Sequence, residues 1–293
     1  MIRHDAPVAA IDVGTNTTRL LVARANGGRI EPLARGSAMT ALGAGLKPGG
    51  RIGAAGLDLV ELTVRQMADE ARRLGARRLV VACTAPGRTA ANAEDLMRRL
   101  ADASGVTPRV LSGPEEAELA FRGMVASGAP DPLLAIDLGG GSLELMGGER
   151  GRLRWATSVP IGARSLTERF APGDPPLIDL LEPMVAAVRE LVDSVSVPAT
   201  GREAIATGGS AEALGRLVGT DMLDRGALLH AVERLAAAPA DDLADETGME
   251  AARLRLSLAG AAALEAVRRA FGLEALRVSL AGLREGLVLE AAA

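Results

Sequence analysis

Twice in this chain of 293 residues an aspartate near the end of a short apolar run leads into a turn of glycine and hydroxyl residues. The two segments are Ile11-Asp12-Val13-Gly14-Thr15-Asn16-Thr17 and Ile136-Asp137-Leu138-Gly139-Gly140-Gly141-Ser142. A turn of this composition directs several backbone N–H groups and hydroxyls into one small volume, a nest that suits phosphate oxygens. The aspartate at the strand end is placed to hold a hydrated Mg²⁺ beside them. One Asp-Gly turn is also what a tight hairpin needs for purely conformational reasons. Two copies, with a third glycine turn at Thr207-Gly208-Gly209-Ser210, favour the phosphate reading.

Carboxylates and arginines supply the remaining chemistry. Ser112-Gly-Pro-Glu115-Glu116-Ala117 stands where a strand meets a helix. Acidic residues there serve as ordinary capping groups, favoured by the helix dipole. They also suit a general base that orients and deprotonates a water in line with a terminal phosphate. Glu144, two residues beyond the second glycine turn, is a further acidic candidate, and Arg19 and Arg88 are the basic ones. No Gly-x-x-x-x-Gly-Lys-Ser/Thr motif occurs, and Gly139-Gly140-Gly141 leads into a strand-like run rather than a dinucleotide-binding helix.

Bulk properties exclude several classes. A hydrophobic content of 48% supports real cores, and a net charge of −4 gives no general basic field for nonspecific nucleic-acid binding. The single Cys83 rules out an internal disulfide, and His4 and His230 are too far apart for the usual zinc spacings. Met1–Ala10 lacks a signal-peptide core and no apolar run reaches membrane-spanning length, so a cytoplasmic protein is expected, with no nucleic-acid or membrane partner. Among the 33 basic residues only Lys47 is lysine, a bias that a GC-rich genome explains, although arginine forks do suit phosphate.

The elements that must position these residues follow from periodicity. Pro7–Val13 and Thr18–Arg24 read as strands around the first turn and Arg29–Ala34 as a third; Ala54–Leu74 reads as a helix and Arg78–Cys83 as a buried strand. A helix begins near Asn92, the expected N-cap, and Arg109–Leu111 makes a short strand. The pattern then restarts: strands Leu133–Leu138, Leu143–Met146 and Arg152–Ser158, a helix over Leu177–Val195, and a strand Glu203–Ala206 running into the third turn and a helix. Two similar α/β lobes with mixed sheets, facing each other across a cleft, are the inference. Their expected bounds are residues 1–126, completed by a helix over 283–293, and 127–282, with a hinge at Ser127–Pro132.

Ile11–Leu20, Thr84–Asn92, Ser112–Gly123, Ile136–Glu144, Val159–Glu168, Thr207–Leu214 and Gly282–Gly286, in that order, resemble the exopolyphosphatase/guanosine pentaphosphate phosphohydrolase (Ppx/GppA) family. The resemblance implies an RNase H-like, actin-like fold in each lobe and metal-assisted attack of water on a terminal phosphoryl group, with Mg²⁺, or Mn²⁺ in its place. By position it makes Glu116 the general base and Asp137 and Glu144 an acidic cluster for metal or water, with Asp12 facing them. It assigns phosphate binding to Gly14, Thr15, Asn16, Thr17, Gly139, Gly140, Gly141, Ser142, Gly208, Gly209 and Ser210, and neutralisation of the substrate to Arg19, Arg88 and Arg253. A homodimer is expected on the same ground.

The sequence departs from the family pattern at Leu143 in place of threonine, at Pro86-Gly87, expected to interrupt a helical approach to Arg88, and at Ala281 in place of an aromatic residue. The chain is expected to lack the helical C-terminal domains of long members, an expectation that points to short polyphosphate or a guanosine polyphosphate as substrate. Two other readings stay open: a sensor that binds such anions without turnover, and an actin-fold ATP-dependent kinase.

Overall fold

Strand-forming Val, Ile, Leu and Thr flank each Asp-Gly turn, so the chain reverses into hairpins. The computed structural model describes residues 6–44, 49–195 and 203–293; His4 and Lys47 lie outside the described residues. Its first hairpin joins β1 (Val8–Val13) to β2 (Thr17–Asn26) in antiparallel register, and β3 (Arg29–Met39) extends it. α1 (Ala54–Arg73) then crosses to β4 (Arg78–Cys83), which pairs parallel to β1. α2 (Ala85–Thr89), α3 (Ala93–Ser104), β5 (Arg109–Val110) and α4 (Gly113–Ala126) follow, giving a five-stranded mixed sheet in the order β3-β2-β1-β4-β5.

The same path is taken again. β6 (Leu133–Leu138), β7 (Leu143–Glu149) and β8 (Arg152–Val159) form the second meander, followed by α5 (Ala163–Phe170), a 3-10 turn (Ile178–Leu180), α6 (Leu181–Val192) and β9 (Glu203–Thr207), parallel to β6. α7 (Gly209–Val218), β10 (Met222–Asp224), α8 (Arg225–Ala237), α9 (Ala240–Thr247), α10 (Ala251–Leu254), α11 (Ser257–Ala270), β11 (Ala275–Val278) and α12 (Leu283–Ala292) complete the chain. Read from β8, the second sheet runs β8-β7-β6-β9-β11, the order of the first, with antiparallel β10 added at its edge.

Two compact units result: residues Met1–Ala129 with Ala281–Ala293, and Pro130–Leu280. Each has its own apolar core, the first around Ile11, Val22, Val64, Leu96 and Leu100, the second around Ile136, Leu145, Leu214, Leu258 and Leu264. α12 belongs to the first unit, where it packs against α4, β1 and β2 with Leu287 and Val288 fully buried.

Four local expectations need correction. Pro86 does not interrupt the approach to Arg88: it occupies the first turn of α2, where its missing N–H costs no helical hydrogen bond. Asn92 precedes α3 without capping it, because its buried amide is committed to Ile52, accepting from the N–H at 2.8 Å and donating to the carbonyl at 3.0 Å. The expected strand at residues 109–111 is only Arg109–Val110. The helix expected over 177–195 starts as a 3-10 turn and is α-helical only from Leu181 to Val192.

Candidate functional site

The two hairpin turns are built alike. Gly14 N–H donates to Thr17 O at 3.1 Å, and Gly139 N–H donates to Ser142 O at 2.9 Å. In the first unit Thr15 O and Asn16 O accept from Gly43 and Ala41 at 2.8 and 2.9 Å. In the second, the first turn of α5 takes that part: Ala163 donates to Gly139 O, and Arg164 and Ser165 donate to Gly140 O, at 3.0, 2.9 and 3.1 Å. Because a trans peptide points its C=O and N–H in opposite directions, anchoring these carbonyls aims the N–H groups of the following residues the other way. That is the arrangement a phosphate nest needs.

Strand register carries the charged residues. Asp12 stands opposite Arg19 on β2, and Arg19 opposite Ser37 on β3. At the matching places of the second unit Asp137 stands opposite Glu144, and Glu144 opposite Ser158. Directly opposed side chains share a sheet face about 5 Å apart. The repeated frame therefore presents an acid beside a base in one unit and two acids side by side in the other. Ser158 Oγ donates to Glu144 Oε1 at 2.9 Å. Leu143, one residue before Glu144, points to the opposite face and is fully buried in the core, so this departure from the family pattern lies away from the carboxylates.

Gly208 brings the third turn to the second. It takes φ 102°, and a Cβ there would meet Leu138 O at 2.4 Å and Asp137 Oδ1 at 3.1 Å, so only glycine fits. Beyond it Gly209 and Ser210 open α7, and Ser210 is nearly buried. Arg253 lies on α10, which packs against α7, and stands 3.7 Å from Glu250.

In the first unit the adjacent acids of Ser112–Ala117 have different partners. Glu115 is the cap: its Oε2 accepts from Ser112 N–H at 2.9 Å and Ser112 Oγ at 2.6 Å, while Ser112 Oγ accepts from Glu115 N–H. The Ser112 hydroxyl, and then its N–H, hold the Glu115 carboxyl below its ordinary value. Glu116 turns elsewhere. Burial pushes its carboxyl up, opposed by the hydrogen bond and charge of Arg88, whose Nη1 donates to Glu116 Oε2 at 2.9 Å and to Leu111 O at 2.6 Å. Cys83, at the end of β4, feels the charges of Asp12, Arg88 and Glu116 together; burial above all pushes its thiol up to about 12. Asp12, Arg88 and Glu116 thus gather at one end of the first sheet.

For a divalent cation, the second unit offers a pair of opposed carboxylates at the mouth of a glycine turn. Mg²⁺ keeps most of its water and commonly takes one or two carboxylates plus substrate phosphates, so the Asp137–Glu144 pair fits such an ion. Among the described residues no group of three or more His, Cys, Asp or Glu forms a ready metal cage. Sequence reasoning missed Ser158, which orients Glu144, and the supporting segments Ala41–Gly43 and Ala163–Ser165. Of these only the second carries a signal, inside the Val159–Glu168 segment that matches the family.

The Ppx/GppA phosphatase family matches residues 21–293. Exopolyphosphatase 1 of Mycobacterium tuberculosis is 31% identical, with 96% of this chain aligned to 87% of that protein. An uncharacterized protein of Streptomyces coelicolor is 34% identical, over 96% of this chain and 89% of its own length. Among solved structures, the Ppx/GppA family member of Aquifex aeolicus superimposes with a TM-score of 0.79 at 25% identity, covering 98% of this chain and 97% of that one. An exopolyphosphatase from Cytophaga hutchinsonii gives 0.85 at 23% identity, over 98% and 97%, a likeness of fold. The repeated β-meanders, their order in two mixed sheets and these matches agree: the chain belongs to the Ppx/GppA phosphatase family and has its actin-like fold.

Proposed function

We propose that this protein releases terminal phosphate from inorganic polyphosphate, and from guanosine pentaphosphate where that is offered, with Glu116 as the general base. The observation that carries the reading is the separation of Glu116 from Glu115. One acid is consumed in capping, whereas its neighbour is half-buried, raised in proton affinity and held by an arginine. A carboxylate with a raised pKa takes a proton from water more readily than an ordinary one. The 31% identity to an exopolyphosphatase across most of both chains supports polyphosphate as the substrate class.

In the proposed reaction, water oxygen bonds to the terminal phosphorus as the bridging P–O bond breaks. The water proton passes to a Glu116 carboxylate oxygen, and orthophosphate leaves a chain shorter by one unit. Positioning and charge neutralisation carry most of such a transfer. The turns at Gly14–Thr17, Gly139–Ser142 and Gly208–Ser210 are assigned to phosphate oxygens, and Arg19, Arg88 and Arg253 to their charge. Asp137 and Glu144, with Asp12, are assigned to Mg²⁺, which when bound neutralises phosphate charge. Leu143, buried in the core on the face opposite the carboxylates, removes one reason for reading the protein as a non-catalytic sensor.

The test measures phosphate release with Mg²⁺ from short-chain polyphosphate and from guanosine pentaphosphate, for the native protein and Glu116→Gln. The expected outcome is release by the native protein and a loss on the order of 10²-fold or more in the variant. Binding of both compounds without release from either would instead make the protein a sensor.

A further inference from the structure

α4 carries Glu116 in its first turn and is held from behind by α12. Two glycines mark the points of closest approach. A Cβ on Gly286 would lie 2.0 Å from Leu119 O, and one on Gly123 would lie 2.1 Å from Gly282 O and 2.9 Å from Glu285 Cβ. Leu119 is three residues, hence about one helical turn, beyond Glu116. The helices touch backbone to backbone, at the turn next to the proposed base.

The start of α12 is itself fixed by ionic and polar contacts. Glu285 is fully buried; its Oε2 accepts from Gly282 N–H at 2.8 Å, and the Arg35 guanidinium stands 2.7 Å from Oε1 as an ion pair. Arg284, also buried, donates to Leu20 O at 3.2 Å on β2, the strand that carries Arg19. A buried carboxylate is retained only where partners repay its desolvation. Apolar packing alone would hold a C-terminal helix without one. These contacts fix α12 in azimuth and height against β2 and β3, and so fix the surface on which α4 rests.

We propose that the Gly282–Gly286 segment positions the Glu116 carboxylate, with Glu285 and Gly286 as its positioning residues. The inference deepens the hydrolase reading and rests on it. A methyl group at 286 forces α4 back by at least 1 Å to restore a normal contact with Leu119 O. A displacement of that size at a catalytic group costs on the order of 10²-fold.

The experiment compares Gly286→Ala and Glu285→Gln with Leu100→Ala, a core substitution on α3 away from α4 and α12. Thermal unfolding, kcat and KM on short-chain polyphosphate with Mg²⁺, and hydrogen exchange of α4 peptides are read for each. The expected result is a kcat loss on the order of 10²-fold with KM nearly unchanged for both α12 variants, and faster exchange confined to α4 and α12. Leu100→Ala should retain kcat despite a comparable loss of thermal stability. If Gly286→Ala does not fold, Glu285→Gln decides. Folded variants with native kcat and native α4 exchange overturn the proposal. Should the native protein release no phosphate, the hydrolase reading falls by itself. The exchange data then decide the seating separately: selective loosening of α4 upholds it, and unchanged exchange overturns it.

Discussion

Arg88 donates to Glu116 Oε2 at 2.9 Å, so the proposed base is tied to a cation before any substrate is present. Burial raises the Glu116 carboxyl and Arg88 holds that rise in check. In the proposed reaction an incoming phosphate would compete for the same guanidinium, and an arginine turned to the phosphate would leave the carboxylate a stronger base.

This opposition fixes the sign of a pH effect. The base acts only when deprotonated, so phosphate release climbs as pH rises through the Glu116 pKa. In Arg88→Met the restraint is gone and the pKa rises further. The ascending limb of kcat/KM against pH, which reports the free enzyme, is expected at higher pH than in the native protein. A limb that stays in place or moves down would show that Arg88 does not govern this carboxyl.

Gly208 and Gly219 both take positive φ, 102° and 73°, yet only Gly208 is crowded, while nothing lies within 4 Å of a Cβ on Gly219. Gly219→Ala should cost about 1 kcal/mol from the left-handed backbone. Gly208→Ala should cost on the order of 3 kcal/mol or more, since strain and a backbone clash add. Urea unfolding midpoints at constant m-value measure both. Phosphate release should drop in the folded fraction of Gly208→Ala and persist in Gly219→Ala.

Cys83 is fully buried with its thiol pushed up to about 12. Iodoacetamide at pH 8 should modify the unfolded chain at least about 10³-fold faster than the native one, from thiolate content alone. Rapid alkylation of native protein would mean that the end of β4 opens readily, and with it the support under Asp12 and Glu116.

The hairpins were legible because aspartate, glycine and β-branched residues follow one another in a fixed order, and the repeat exposed the two-unit plan. The glycine turns, and Glu144 two residues beyond the second of them, could be located for the same reason, whereas Glu116 was singled out only by the family resemblance. The difference between Glu115 and Glu116 was not legible, since two adjacent glutamates at a helix start look alike until one is seen to bond Ser112. Residues 219–281 gave little signal. α11 is buried from Ser257 to Val267, so its alanine-rich sequence has no polar face to set a period. Pro86 misled because proline disrupts a helix interior but fits a first turn.

The first unit is interrupted: the chain leaves it after Ala129 and returns only at Ala281. A ribosome must therefore make the whole of Pro130–Leu280 before the first unit can receive its last helix, a delay on the order of ten seconds. Throughout that interval α4, β1 and β2 lack the cover of Leu287 and Val288, and a nascent chain shows chaperones and proteases an apolar surface that the finished protein hides. A message cut short between residues 210 and 281 yields a product with all three glycine turns but without the helix that packs against α4. The proposed activity would thus wait on a segment made only after the whole second unit.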